Sequence, residues 1–146
     1  MDLILWRHAD AEDGYPDEKR PLTVKGHRQA VRMARWLEQY LPAKCVVLAS
    51  PALRTQQTAA ALGARIATRS ELGLAATPDS ILEAAQWPDA LHAVVVVGHQ
   101  PTLGMTAARL LTGTESEWSV RKGSIWWFVR DQRHTVLRAV LGPELV

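Results

Sequence analysis

A three-layer α/β sandwich is the fold class that this sequence of 146 residues predicts. Three short runs, residues 3–6, 46–49 and 94–97, are wholly apolar, which is typical of strands buried on both faces of a parallel sheet. Segments with helical spacing separate these runs. Near the C-terminus, residues 124–129 and 135–141 flank "RDQRH" and predict a hairpin. We therefore expect a mainly parallel central sheet with an antiparallel C-terminal edge and no large cap insertion.

The first predicted helix follows "RPLT". Thr23 is a suitable N-cap, because its side-chain oxygen can accept a hydrogen bond from the first turn, and Pro42 marks the end of the helix. Apolar residues recur at intervals of three and four, which places them on one helix face. These residues are Ala30, Ala34, Leu37 and Leu41.

Three shorter helices are predicted further along the chain. The first covers residues 52–62 and stops at Gly63. The second runs to Gln86 with Asp79 as its N-cap, and the third covers residues 102–111 and is closed by Gly113. No repeat, low-complexity tract or linker interrupts this pattern, so we expect a single domain over residues 1–146.

Composition narrows the classes of function. With 17 Lys and Arg against 15 Asp and Glu, the net charge is +2, which is too small to argue for a nucleic-acid partner. No stretch approaches the ~20 apolar residues that a membrane span needs, and the first residues do not resemble a signal peptide. We therefore expect a cytoplasmic protein without a membrane partner. Cys45 is the single cysteine, which excludes an internal disulfide and predicts a core thiol.

The edge of the sheet at which the three buried runs end is where we expect a ligand. In parallel α/β sheets, ligands bind beyond the carboxyl ends of the strands. The first run leads directly into an arginine and a histidine, and the third leads through a glycine into a second histidine. The residues expected at this edge are Arg7, His8, Arg54 and His99, with Arg20 from a loop that can fold over them.

These side chains suit a phosphoryl group. Arginine presents a planar fork that binds phosphate through two hydrogen bonds and keeps its charge. A histidine beside arginines is pushed towards its neutral form, whose lone pair can attack phosphorus. We therefore expect a phosphate pocket with His8 as an imidazole nucleophile and His99 as a further donor to the phosphoryl oxygens.

A metal site is the other use of two histidines. Asp10, Glu12 and Asp13 lie near His8 in the sequence and are possible further ligands. A dication beside the arginines would be repelled, however, so we expect neither a metal nor an organic cofactor.

Four stretches of the sequence resemble the signature blocks of a known superfamily. They are "LWRHAD", "RPLTVKGHRQA", "LASPALRTQQTA" and "VVVVGHQPTLG". In this order they are similar to the blocks of the histidine phosphatase (phosphoglycerate mutase-like) superfamily, and more narrowly of its small SixA-type branch, the phosphohistidine phosphatases. The resemblance implies that His8 becomes phosphorylated. The other implied site residues are Arg7, Arg54 and His99 in the phosphate pocket and Arg20 as a substrate-binding residue beside it.

Two departures from the family pattern bear on the substrate. Ala9 replaces the glycine of the usual "RHG", so an ordinary backbone φ is expected there. The glutamate that larger members supply as proton donor has no convincing match among Glu71, Asp79 and Glu83. An alkoxide leaving group needs such an acid, worth ~10²–10⁴ in rate, whereas the imidazole of phosphohistidine takes up a proton near neutral pH. A site without a cap is also open to a bulky phosphoprotein.

The sequence therefore predicts a phosphatase that acts through a phosphohistidine intermediate. The expected substrate is phosphohistidine on a protein, such as a histidine phosphotransfer-type domain. Two other interpretations stay open: hydrolysis of small phosphomonoesters such as sugar or nucleotide phosphates, and phosphate binding without catalysis. Trp118, Trp126 and Trp127 are a candidate partner surface, because adjacent strand residues face opposite ways and one of the pair must be exposed or covered by a helix.

Overall fold

Six strands form one sheet in the computed structural model, which describes residues 1–146. In chain order they are β1 (Asp2–Arg7), β2 (Cys45–Ala49), β3 (Ile66–Thr68), β4 (Ala93–Gly98), β5 (Ile125–Arg130) and β6 (Thr135–Leu141). Their order across the sheet is β3-β2-β4-β1-β5-β6. The first four strands pair in parallel, whereas β5 pairs antiparallel with both β1 and β6. This topology confirms the predicted parallel sheet with an antiparallel C-terminal edge.

Four α-helices pack on the sheet. They are α1 (Val24–Tyr40), α2 (Leu53–Ala60), α3 (Pro78–Ala84) and α4 (Thr102–Thr112). The predicted ends of two helices are confirmed: the Thr23 side chain accepts a hydrogen bond from the Gly26 N–H at the start of α1, and Gly113 ends α4 with a φ of 78°. None of the helices combines the length and apolar character that crossing a bilayer requires.

The predicted start of α3 was wrong. Thr77, rather than Asp79, caps this helix, and Thr77 and Ser80 form a reciprocal capping box. Pro78 explains the shift, because its fixed φ suits the first helical position and its missing N–H is not needed there. Asp79 lies within the first turn and forms an ion pair with Arg109 of α4.

Strand β3 and the thiol of Cys45 also differ from expectation. The sequence did not predict β3, because the strand has three residues and only Ile66 is partly buried. Cys45 begins β2 and is half-buried instead of lying inside the core. Burial nevertheless raises the pKa of its thiol to about 11, so the group stays protonated.

The apolar runs are explained by two cores, one on each face of the sheet. Successive strand residues point to opposite faces, so β1 and β4 divide their side chains between the two layers. The face that packs against α3 and α4 includes Leu3, Leu5, Val94, Val96, Ile81, Leu103 and Ala107. The face that packs against α1 includes Ile4, Trp6, Val95, Val97, Met33, Ala34 and Leu37. Because both faces are covered, the two strands are rigid supports for the residues that follow them.

The adjacent tryptophans of β5 follow the same division. Trp127 is buried on the α1 side, where its ring meets Trp36 edge-on at 6.2 Å between centroids. Trp126 is half-buried on the other face, with its ring centroid 5.9 Å from that of Trp118. Helix α1 therefore covers the ring of Trp127, as expected, whereas the ring of Trp126 packs against that of Trp118.

Close packing of α1 against the loop after β1 depends on Gly26. A Cβ at this position would overlap the Asp10 carbonyl oxygen. The contact is backbone against backbone, so no side-chain rotation can relieve such an overlap.

Gly26→Ala is expected to lower the free energy of unfolding by about 1–3 kcal/mol, because α1 must shift away from Asp10. Urea titration followed by circular dichroism measures the change. Val24→Ala, at an exposed position of the same turn, is the control and should change stability by less than about 0.5 kcal/mol. Equal stability of Gly26→Ala and wild type would contradict the close approach.

Candidate active site

The carboxyl ends of β1, β2 and β4 bring the predicted site residues together. The His8 N–H donates to the Gly98 carbonyl at 3.2 Å, and the Ser50 N–H donates to the Val97 carbonyl at 3.2 Å, so the three chain segments are tied to one another. His8 and His99 expose only 7% and 5% of their surfaces, and their ring centroids are 5.5 Å apart. The two imidazoles are therefore held side by side at the end of the sheet.

The ring of His8 has a defined tautomer. Its Nδ1 lies 2.7 Å from the carbonyl oxygen of Ala9. A carbonyl only accepts hydrogen bonds, so Nδ1 carries the proton and donates it. Burial lowers the pKa of His8 to about 4, with nearby arginines adding to the effect and the bond to Ala9 opposing it. At neutral pH the imidazole is therefore uncharged, with a lone pair on Nε2 that can act as a nucleophile.

His99 is oriented by Ser50 and Arg54. Its Nε2 lies 2.7 Å from Ser50 Oγ, and its Nδ1 lies 3.4 Å from Arg54 Nη2. A guanidinium only donates, so Nδ1 is the accepting nitrogen and Nε2 donates to the serine. Burial, followed by the positive charge of Arg54, lowers the pKa of His99 to about 3. Both histidines of the site are thus neutral in the free protein.

Arg7 is held by the segment that precedes β5. Its Nη1 donates to the Val120 carbonyl at 2.9 Å. The Gly123 N–H donates to the carbonyls of both Arg7, at 3.2 Å, and His8, at 3.0 Å, and the Trp6 indole donates to the Gly123 carbonyl at 3.0 Å. Sequence analysis missed residues 120–124 because they act through backbone groups. Gly123 is the one signal there, since its φ of 73° favours glycine.

Two buried guanidinium nitrogens have no protein partner. They are the Nε atoms of Arg7 and Arg54, and Arg54 exposes only 4% of its surface. Burying a charged N–H without an acceptor is costly, so native structures rarely leave one unpaired. A bound oxyanion would balance the positive charge of the two guanidinium groups, and the residues present fit a tetrahedral anion such as phosphate.

Asp17 is a charged side chain of this site that sequence analysis missed. Its carboxylate accepts from Arg54 Nη2 at 3.0 Å and from Arg20 Nη1 at 2.9 Å, and its main-chain carbonyl accepts from Arg54 Nη1 at 2.9 Å. Partial burial raises the pKa of Asp17, but the hydrogen bonds and charges of Arg54 and Arg20 outweigh this effect. The pKa of Asp17 therefore lies below its usual range. The carboxylate is therefore ionised at neutral pH. Its sequence position, in a loop with four other acids, does not distinguish it.

Arg20 is placed beside the site, as expected, but not in direct contact with either histidine. It bonds to Asp17 and, through Nε, to the Glu12 carbonyl at 2.8 Å. Its link to the pocket therefore passes through the Asp17 carboxylate. This makes Arg20 a residue of the rim of the site.

Ala9 has an ordinary backbone conformation, because the only non-glycine residue with positive φ is Gln86. The prediction for this position is confirmed. The Ala9 side chain is fully buried beside Leu22 and Ala30, and its N–H donates to Thr58 Oγ1 of α2 at 3.1 Å. The methyl group that replaces the family's glycine hydrogen therefore packs into the core.

The acidic residues of the segment before β4 lie outside these contacts. Glu71 pairs with Arg69 on the surface, and Asp79 pairs with Arg109. No group of three or more His, Cys, Asp and Glu side chains has the geometry to hold a metal ion. The charged chemistry of the site therefore rests on its arginines, its histidines and Asp17.

The neutral histidines make the fold sensitive to acid. In the unfolded chain a histidine has a pKa of ~6.5 and becomes protonated below that pH. In the folded protein, His8 and His99 stay neutral until the pH is much lower. We expect the free energy of unfolding to fall between pH 7 and pH 5 by up to about 2 kcal/mol for each histidine. Urea titrations at both pH values measure this loss. The double variant His8→Gln/His99→Gln should lose much less, and an unchanged pH dependence in it would contradict the assignment.

Asp17 holds a negative charge next to Arg54, the arginine that we expect to bind an anion. Asp17→Asn keeps the shape and removes the charge, so we expect inorganic phosphate to bind about fivefold more tightly, equivalent to about 1 kcal/mol of relieved repulsion. Isothermal titration calorimetry measures the affinity, with Glu18→Gln as the control in the same loop. Weaker binding by Asp17→Asn would instead mean that the carboxylate is needed to hold Arg54 in place.

Comparison with known proteins agrees with this geometry. Residues 3–76 match the model of the histidine phosphatase superfamily (branch 1). The phosphohistidine phosphatase SixA of Escherichia coli K12 is 31% identical over 77% of this chain and 76% of its own. A solved structure assigned as SixA from Nakamurella multipartitia is 32% identical, with a TM-score of 0.82 over 97% of this chain and 95% of its own. A structure of the protein histidine phosphatase SixA complexed with tungstate is 26% identical, with a TM-score of 0.82 over 99% of both chains. The chain belongs to the histidine phosphatase superfamily, branch 1, and to its SixA-type members.

Proposed function

We propose that the protein removes phosphoryl groups from phosphohistidine on a protein substrate, through a phosphohistidine intermediate formed on His8. The observation that carries this proposal is the neutral His8 imidazole, with its lone pair on Nε2, beside the buried Arg54 and the half-buried Arg7, which each keep a buried N–H without a protein partner. A nucleophile and an oxyanion site are thus adjacent. The similarity to SixA supports it, since one such structure binds tungstate, a tetrahedral oxyanion like phosphate.

The first half-reaction forms a bond from His8 Nε2 to phosphorus. The substrate reacts with its phosphohistidine ring protonated on the other nitrogen, a group that titrates near neutral pH, so the imidazole leaves as a neutral ring when its bond to phosphorus breaks. As Nε2 bonds to phosphorus, the His8 ring gains positive charge, which the Ala9 carbonyl stabilises through the Nδ1–H. Arg7 and Arg54 hold the phosphoryl oxygens, because positioning and charge stabilisation dominate phosphoryl transfer.

The second half-reaction returns the enzyme to its starting state. Water attacks phosphorus, the bond to Nε2 breaks, and inorganic phosphate leaves. The cationic ring of phospho-His8 makes Nε2 a good leaving atom, since it departs as a neutral imidazole. The Ala9 carbonyl therefore serves both steps.

His99 can become a donor without net proton uptake. The Ser50 hydroxyl, 2.7 Å from Nε2, can accept from that nitrogen or donate to it. When a phosphoryl oxygen lies near Nδ1, the ring proton can move to Nδ1 while Ser50 donates to Nε2. The serine thereby makes either tautomer of His99 acceptable.

Asp17 bears on the class of leaving group. Its lowered pKa keeps it ionised, so it is not a ready acid for protonating an alkoxide. The leaving imidazole of phosphohistidine does not need such an acid. This favours phosphohistidine on a protein over small phosphomonoesters. The proposed location is the cytoplasm, where the lone Cys45 thiol stays reduced.

His8→Ala is expected to reduce turnover of a phosphohistidine protein by about 10⁴-fold or more, because no other group replaces the nucleophile. Wild type, quenched in alkali during turnover of a ³²P-labelled substrate, should carry an acid-labile label that His8→Ala lacks. His134→Ala, at an exposed histidine, is the matched control and should behave as wild type. Full activity of His8→Ala would overturn the mechanism.

A substrate panel tests the class of substrate. Turnover is compared for a histidine phosphotransfer domain phosphorylated on histidine, free phosphoramidate and p-nitrophenyl phosphate. We expect the first two to exceed the ester in kcat/KM by at least tenfold. A clear preference for esters would make the protein a phosphomonoesterase, and phosphate binding without any turnover would make it a binding protein.

A further inference from the structure

The solvent-facing side of α1 is strongly basic. The helix packs its apolar residues into the core and exposes five basic residues: Lys25, His27, Arg28, Arg32 and Arg35. Its only acid is Glu38, near the C-terminal end. None of these basic residues takes part in any of the eight ion pairs of the structure. We call this set the basic face of α1.

Helix stability does not explain the basic face. The N-terminus of a helix carries partial positive charge, so cations in the first turns are unfavourable there. Lys25 and Arg28 nevertheless lie at that end, which has no acid in its first turn. Arg28 and Arg32, four residues apart on one side of the helix, also repel each other. Because these basic residues lower the stability of the helix, their presence indicates a role in binding at the surface.

The basic face begins beside the active site. The Thr23 N–H and hydroxyl donate to Asp10, at 3.0 Å to its carbonyl and 2.8 Å to its carboxylate, and Gln29 accepts from the Asp10 N–H at 2.9 Å. Asp10 lies two residues after His8. From Arg28 to Arg35 the face continues along the helix for about 10 Å, at ~1.5 Å per residue. A protein whose phosphohistidine reaches His8 is therefore close enough to contact it.

A second segment at the site has the opposite charge. The loop that carries Asp17 also exposes Glu12, Asp13 and Glu18. A nucleic acid or an anionic membrane, which is negative throughout, is repelled by this loop. A membrane would also require an apolar helix face, whereas that of α1 is buried in the core. A folded protein with a local acidic patch can place that patch against the basic face of α1 and keep it away from the acidic loop.

We propose that the basic face of α1 is the docking surface for an acidic patch beside the phosphohistidine of the substrate protein. This inference rests on the proposed function and names how its substrate is recognised. The positive charges at positions 28, 32 and 35 attract carboxylates on the partner, while the acidic loop favours one orientation of it. Long-range attraction between the two surfaces speeds their encounter.

The test is the triple variant Arg28→Glu/Arg32→Glu/Arg35→Glu, with Arg28→Lys/Arg32→Lys/Arg35→Lys as the matched control that keeps the charge. The protein probe is a histidine phosphotransfer domain of net negative charge, phosphorylated on histidine, and the small probe is phosphoramidate. We expect kcat/KM for the protein probe to fall at least tenfold at low salt in the glutamate variant only. Turnover of phosphoramidate should stay within twofold of wild type in both variants. Raising the salt concentration should slow wild type much more than the glutamate variant.

The other outcomes separate the two proposals. An unchanged rate of the glutamate variant on the phosphorylated domain would overturn the docking surface and leave the proposed function standing. An equal loss on phosphoramidate, or a tenfold loss in the lysine variant, would also overturn it, because the effect would then not be one of charge at a docking site. Binding of wild type to duplex DNA or to phosphatidylserine vesicles at physiological salt, lost in the glutamate variant, would assign the face to another partner. Wild type that hydrolyses neither probe would overturn the proposed function itself.

Discussion

The burial of Arg54 beside Arg7 concentrates positive charge at the end of the sheet, and the chemistry of the site follows from it. Guanidinium groups do not lose their protons, so the surroundings must adjust. Main-chain carbonyls of Asp17 and Val120 accept from the arginines, and the Asp17 carboxylate stays ionised beside Arg54. Burial and the same charges keep both histidines neutral. The imidazole that we propose as the nucleophile is therefore neutral before any substrate binds.

The rigid sheet is what makes this concentration of charge possible. Strands β1 and β4 are covered on both faces and pair in register from Leu3 with Val94 to Arg7 with Gly98. The backbone at their ends is fixed by packing deeper in the core, and Arg54, on α2, is held at this edge by its bonds to Asp17 and His99. The core stabilises a local arrangement that is unfavourable by itself, as is common at functional sites.

The parts of the fold that the sequence predicted are those in which one physical effect dominates. Burial on both faces requires apolar residues at every position, so β1, β4 and the buried end of β2 could be recognised in the sequence. Short edge strands such as β3 carry no such requirement. The same contrast applies to the site: His8 and His99 follow buried strands directly, whereas Asp17 reaches Arg54 from a loop whose course depends on tertiary contacts. Residues 120–124 contribute through their backbone, which any sequence supplies.

The hydrogen bonds of Gly123 to the carbonyls of Arg7 and His8 join residues that are more than 110 positions apart. Strand β5, which follows this glycine, also pairs with β1. During synthesis, the first hundred residues contain every predicted site residue but lack the segment that fixes Arg7 and the backbone of His8. The predicted site is therefore complete only when residues 120–124 pack against the end of β1. The C-terminal strands are therefore part of the architecture that holds the predicted site.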